Sequence, residues 1–89
     1  MKGMDTRKRM AMQISSIAGI NLEQIDTSKE FNLITDLEFD SIKLIELIII
    51  LENEFGIEIT DEYLDLNIIS DFQKLADLIE KLAKSNTWG

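Results

Sequence analysis

The chain has no histidine and no cysteine among its 89 residues. Without histidine, a Ser-His-Asp triad and a His-ligated metal site are both excluded. Without cysteine, so are disulfides, thiolate catalysis and Cys-zinc sites. No stretch has the Asp-x-Asp-x-Asp-Gly spacing of a calcium loop, so no metal site is expected. No apolar run approaches the ~18 residues of a membrane span. The basic start (Lys2, Arg7, Lys8, Arg9) leads into no apolar h-region, so no signal peptide is expected and the protein reads as cytoplasmic. Bases are scarce: 9 Lys and Arg stand against 17 Asp and Glu, a net charge of −8. That argues against nucleic acid and anionic membrane as partners and favours a partner with a basic patch. Aromatics are few as well, which leaves an aliphatic core with Phe31, Phe39, Phe55, Phe72 and Tyr63 as its main rings.

What is present centres on Asp40-Ser41-Ile42, at the mouth of the longest apolar pattern in the chain, which ends at Phe55. Asp and Ser at that place satisfy free backbone N–H groups and open a helix. Leu44, Leu47, Ile48, Leu51 and Phe55 follow the i, i+3, i+4, i+7, i+11 spacing of a core face. Ile42, Ile45 and Ile49 form a second stripe, roughly 100–160° away on the helical wheel. A helix that buries one side has no use for three isoleucines on the other. Either a further element covers them or they form a docking surface rimmed by acids.

Along the rest of the chain, Asp5 or Thr6 caps a first helix with Met10, Ile14, Ile17 and Ala18 at helical spacing, and Gly19 stops it. The four early bases read as a solvated face. Residues 21–39 keep no sustained period but are too apolar for a free linker. They read as a long loop pinned across the helices, with one short helical turn. Gly56 ends the central helix. Ile57-Glu58-Ile59 alternates but has no partner strand, so its isoleucines are expected to pack inward from a loop. Thr60 or Asp61 caps a short helix through Leu66. Ser70 starts the last helix, with Gln73 completing a capping box. Phe72, Leu75, Ala76, Ile79, Leu82 and Ala83 form the apolar face of that helix. Residues 85–89 read as a flexible tail with Trp88 exposed. The expectation is one all-α domain over residues 1–89, ordered from about 6 to 84: a small four-helix bundle with three longer helices, a short third helix and a long first loop.

The run Asp36-Leu37-Glu38-Phe39-Asp40-Ser41-Ile42, followed by Ile45-Glu46-Leu47 and by Leu51-Glu52-Asn53-Glu54-Phe55-Gly56-Ile57-Glu58-Ile59, resembles the acyl carrier protein family, the phosphopantetheine-binding four-helix carriers. The resemblance spans about Thr6 to Ala83. Glu38 stands where the family commonly has glycine, Ile42 where leucine is usual, and Thr60 where many members have proline. The resemblance implies that a phosphopantetheinyl transferase moves 4'-phosphopantetheine from coenzyme A onto Ser41, and that the chain is a carrier, not an enzyme. Asp40 and Ile42 are then read by the transferase. Ile45, Glu46, Ile49, Glu52, Asp61 and Glu62 dock acyl-transfer, synthase or adenylating enzymes that carry basic patches. A monomer is expected.

A serine with no base near it, in a chain without histidine, is a poor nucleophile by itself and a better acceptor for another enzyme. Between Asp36 and Asp65 there are ten acids and one base, Lys43, a field suited to steering basic partners. Lys43 and Leu44 interrupt the acidic run of the most typical fatty-acid carriers and point toward a peptidyl or secondary-metabolite system. A helical interaction adaptor that is never modified and uses the Ile42/Ile45/Ile49 stripe alone is the competing reading.

Overall fold

Helical periodicity carries the three long elements. A computed structural model describes residues 6–86. Helix α1 spans Thr6–Ala18, α2 Leu33–Leu37, α3 Ser41–Phe55, α4 Leu66–Ile69 and α5 Phe72–Asn86. Single 3₁₀ turns at Leu22–Gln24 and Asp61–Tyr63 complete the helical content. The fold is an all-α bundle, in which α1 packs against both α3 and α5, and α4 packs on α5. None of the described helices is long and apolar enough to cross a membrane.

Both long-helix stops are glycines in the left-handed region, Gly19 at φ +71° and Gly56 at φ +65°. Few other residues take that conformation without strain. The leucine face of α3 is buried, with Leu44, Leu47, Ile48 and Leu51 facing Met10, Ala11 and Ile14 of α1 and Phe72, Leu75, Ala76 and Ile79 of α5 in one core. Ile57 and Ile59 pack inward from a loop, as their alternation suggests.

The junctions differ from the sequence reading. The last helix begins at Phe72, and its cap is Asp71, whose Oδ1 accepts from Lys74 N at 3.0 Å. Ser70 instead closes α4: it is buried and its hydroxyl donates to the Leu66 carbonyl. Gln73 does not form the capping box. Its side chain donates to the Thr27 and Lys29 carbonyls at 3.0 and 2.9 Å and accepts from Arg7 Nε at 2.6 Å. The expected single helix from Thr60 to Leu66 is a 3₁₀ turn followed by a separate α4, capped by Asp65 through Asn67 N. The last helix continues to Asn86, so Ser85 and Asn86 carry helical backbone; Trp88 lies outside the described residues.

Two of the early bases are engaged rather than solvated. Arg7 pairs with Asp77 at 2.8 Å and Glu80 at 3.3 Å, joining α1 to α5. Arg9 reaches the end of α3: Nη2 donates to the Glu54 carbonyl at 2.8 Å, and its guanidinium lies 4.2 Å above the Phe55 ring. Surface pairs of this kind contribute little each, but they fix where α1 sits against its two neighbours.

The long first loop is pinned at its far end. Leu33 N donates to the Ser70 carbonyl at 2.7 Å, and Phe72 N donates to the Phe31 carbonyl at 3.0 Å. The Phe31 and Phe72 rings stack at 4.6 Å. This isolated antiparallel bridge, Asn32 opposite Asp71, satisfies the backbone of a loop that has no sheet to join among the described residues.

Candidate functional site

From that anchor the chain has seven residues, Leu33 to Phe39, in which to reach Asp40. Asn32 caps α2, its side chain accepting from Ile34 N and Thr35 N at 2.8 and 3.0 Å. Helix α2 ends at Glu38, which takes the left-handed conformation at φ +59°, ψ +34°. It is the one non-glycine residue with positive φ among those described. The turn throws Phe39 inward: the ring is buried, and its N–H donates to the Leu33 carbonyl at 3.0 Å. With Phe39 held below, the next two residues emerge at the surface.

Asp40 is the N-cap of α3. Its backbone is extended, its carboxylate accepts from Lys43 N at 2.9 Å, and its carbonyl accepts from Leu44 N at 3.0 Å. Ser41 is therefore the first helical residue of a fifteen-residue helix, and it is exposed. Helix geometry leaves the N–H groups of Ser41 and Ile42 without intrahelical acceptors. A phosphodiester on Ser41 Oγ would meet these donors and the positive end of the helix dipole, so the residues present fit that group.

Beyond Ser41 the isoleucine stripe is uncovered: Ile42, Ile45 and Ile49 are 69%, 48% and 52% exposed. Glu46 lies exposed beside it, and Asp61 and Glu62 are exposed on the 3₁₀ turn. Glu52 is placed differently. It is half-buried, and its carboxylate accepts from Ile59 N at 2.8 Å. Leu64 and Leu66, expected on one short helix, flank the start of α4 instead and are exposed, Leu66 by 58%. They enlarge the apolar surface on the segment after the Asp61 turn. Two leucines on so short a segment carry no periodicity from which to find them.

The family model for the phosphopantetheine attachment site matches residues 8–82. The chain is 36% identical over 80 residues to the acyl carrier protein of Buchnera aphidicola subsp. Schizaphis graminum, covering 90% of this chain and 96% of that protein. It is 43% identical over 68 residues to the acyl carrier protein of Chlorobium phaeobacteroides, covering 76% of this chain and 82% of that protein. A helical bundle with an exposed serine at the mouth of its central helix, matched over nearly its whole described length, belongs to the acyl carrier protein family, and its cofactor is covalently attached phosphopantetheine.

Proposed function

We propose that Ser41 is the attachment residue and that the chain shuttles acyl or aminoacyl groups between enzymes of fatty-acid, polyketide or nonribosomal peptide biosynthesis, with no turnover of its own. The observation that carries this reading is the exposed Ser41 at the first position of α3, beside the Asp40 cap and ahead of an uncovered isoleucine stripe. In the loading step Ser41 Oγ attacks the pantetheine-side phosphorus of coenzyme A. The Oγ–P bond forms, the pyrophosphate P–O bond breaks and adenosine bisphosphate leaves. A base of the transferase takes the hydroxyl proton, because this chain has no histidine to do so. The group supplies a terminal thiol that holds cargo as a thioester. The chain's own residues do the rest. Asp40 caps the helix start by accepting from Lys43 N and leaves the N–H groups of Ser41 and Ile42 to the phosphate,. Ile42 and Asp40 meet the transferase, and Ile45, Ile49, Glu46, Asp61 and Glu62 meet the synthase, acyl-transfer or adenylating partners.

The acidic field suits this work. Charges of one sign speed encounter with basic partners and leave affinity modest, so a carrier leaves each enzyme quickly. Lys43 beside the serine favours a peptidyl or secondary-metabolite partner over the most typical fatty-acid system. The working protein is a cytoplasmic monomer in this reading, where coenzyme A is at hand. Incubation with coenzyme A, magnesium and a broad-range transferase, followed by intact mass, tests it. A gain of one phosphopantetheine is expected. An unchanged mass would overturn the carrier reading and leave the isoleucine stripe as the surface of an unmodified adaptor.

A further inference from the structure

Glu52 has the spacing of a docking acid but not the surroundings of one. It sits in the last turn of α3, where the chain reverses through Gly56. Its carbonyl accepts from Gly56 N and from Ile57 N, the latter at 3.1 Å. Its carboxylate then accepts from Ile59 N at 2.8 Å. One residue thus ends the helix with its backbone and holds the returning segment with its side chain.

The returning segment needs that hold. Residues 57–60 form no helix and join no bridge. Ile57 and Ile59 are both buried, so their N–H groups require acceptors inside the protein,. Ile57 N finds the Glu52 carbonyl. Ile59 N finds no backbone carbonyl among the described residues, and the Glu52 carboxylate is the acceptor supplied. Two residues further on stand Asp61 and Glu62, exposed on their 3₁₀ turn. Wherever Ile59 is held, that turn is held too.

We propose that Glu52 is a positioning residue for the docking surface: through Ile59 N–H it fixes the Asp61–Tyr63 turn relative to the isoleucine stripe of α3, and partners do not read its charge. The proposal rests on the carrier reading for its consequence in catalysis, but not for the bond itself. It separates Glu52 from Glu46, which lies six residues earlier on the same helix, exposed and with a carboxylate that makes no hydrogen bond among the described residues. A positioning acceptor is replaced by any side chain that offers an oxygen at the same reach. A steering charge is replaced only by another charge.

The test compares Glu52→Gln, Glu52→Ala, Glu46→Gln and Glu46→Ala as substrates of the transferase and in amide hydrogen exchange by NMR. For Glu52→Ala, exchange protection at Ile59 N–H is expected to fall by about tenfold or more, as for a lost buried hydrogen bond. The resonances of Asp61 to Tyr63 should shift and the transferase KM should rise. Glu52→Gln should rescue all three, because its amide oxygen accepts from Ile59 N. Both Glu46 variants should raise KM equally, weaken its salt dependence and leave Ile59 protected. Equal loss in Glu52→Gln and Glu52→Ala would overturn the proposal and make Glu52 a charge that partners read. Unchanged Ile59 protection in Glu52→Ala would overturn it as well. If the wild-type chain accepts no phosphopantetheine, the carrier reading fails by that result alone, and the Ile59 exchange and turn resonances of the two Glu52 variants still decide the positioning role.

Discussion

Leu47 and Ile49 stand two positions apart on α3 and bring the same number of carbons, yet Leu47 is fully buried and Ile49 is 52% exposed. The contrast runs along the helix. Leu44, Leu47, Ile48 and Leu51 face the core, while Ile42, Ile45 and Ile49 face solvent. Hydrophobic burial stabilises the fold only on the first face. Uncovered aliphatic surface on the second face contributes nothing to the isolated chain and has its value when a partner removes it from water. Composition does not distinguish the two faces. The angle on the helical wheel does.

The contrast breaks most visibly under truncation. Leu47→Ala leaves a cavity between α3 and its neighbours and is expected to cost about 3 kcal/mol. For a domain of this size that lowers Tm by more than about 10 °C, which thermal melting by circular dichroism would read. Ile49→Ala removes similar bulk but should change stability by less than about 0.5 kcal/mol. It should weaken partner binding roughly tenfold, as for an anchor in a docking patch. Calorimetric titration against a partner enzyme, run beside the melt, checks both. A large stability loss in Ile49→Ala would show that some other element covers the stripe.

Glu38 sharpens the same division between what packs and what is presented. Its side chain is exposed and its φ of +59° is set by the loop that turns Phe39 inward. A side chain in that region costs about 1–2 kcal/mol, and glycine there gives part of this back as added freedom of the unfolded chain. Glu38→Gly should therefore stabilise the protein by about 0.5–1 kcal/mol by chemical denaturation, with no effect on the buried face.

The smallest effect lies in the first loop. Ser28 donates to Asp26 Oδ1 from its hydroxyl at 2.6 Å and from its N–H at 3.0 Å. These bonds, the hydroxyl first, hold the Asp26 carboxyl below the usual carboxylate range. A depressed folded pKa contributes stability above the unfolded value, and the contribution is lost as pH falls through the folded one. Ser28→Ala should raise the Asp26 pKa toward its ordinary value, read by NMR titration of that carboxyl.

The α3 contrast was legible because fifteen residues allow four turns of periodicity and because Gly56 marks the end. α1 and the face of α5 were legible for the same reason. The junctions were not. Ser70 and Asp71 are adjacent, and either is a good cap by residue type. What decides between them is that α4 ends against Ser70, whose hydroxyl turns back to Leu66. Gln73 had the spacing of a capping box, but Arg7 and two loop carbonyls claim it across the fold. Arg7 and Arg9 read as solvated because their partners lie 45 to 73 residues away. Glu52 is a case of the same kind: its i, i+3 relation to Ile49 is visible in sequence, whereas its bond to Ile59 depends on the turn through Gly56. Glu38 was legible only through resemblance, as a departure from glycine, and its φ supplies the physical reason for the usual residue.

The central claim is that the exposed hydroxyl at the start of α3 carries the cofactor. The most direct measurement is fragment-ion mass spectrometry of the transferase-treated protein, with Ser41→Ala in parallel. The account predicts phosphopantetheine on Ser41 in the wild type, with Ser15, Ser16, Ser28, Ser70 and Ser85 unmodified, and no mass gain in a Ser41→Ala variant of unchanged helicity. Phosphopantetheine on any other residue, or undiminished labelling of Ser41→Ala, would contradict it.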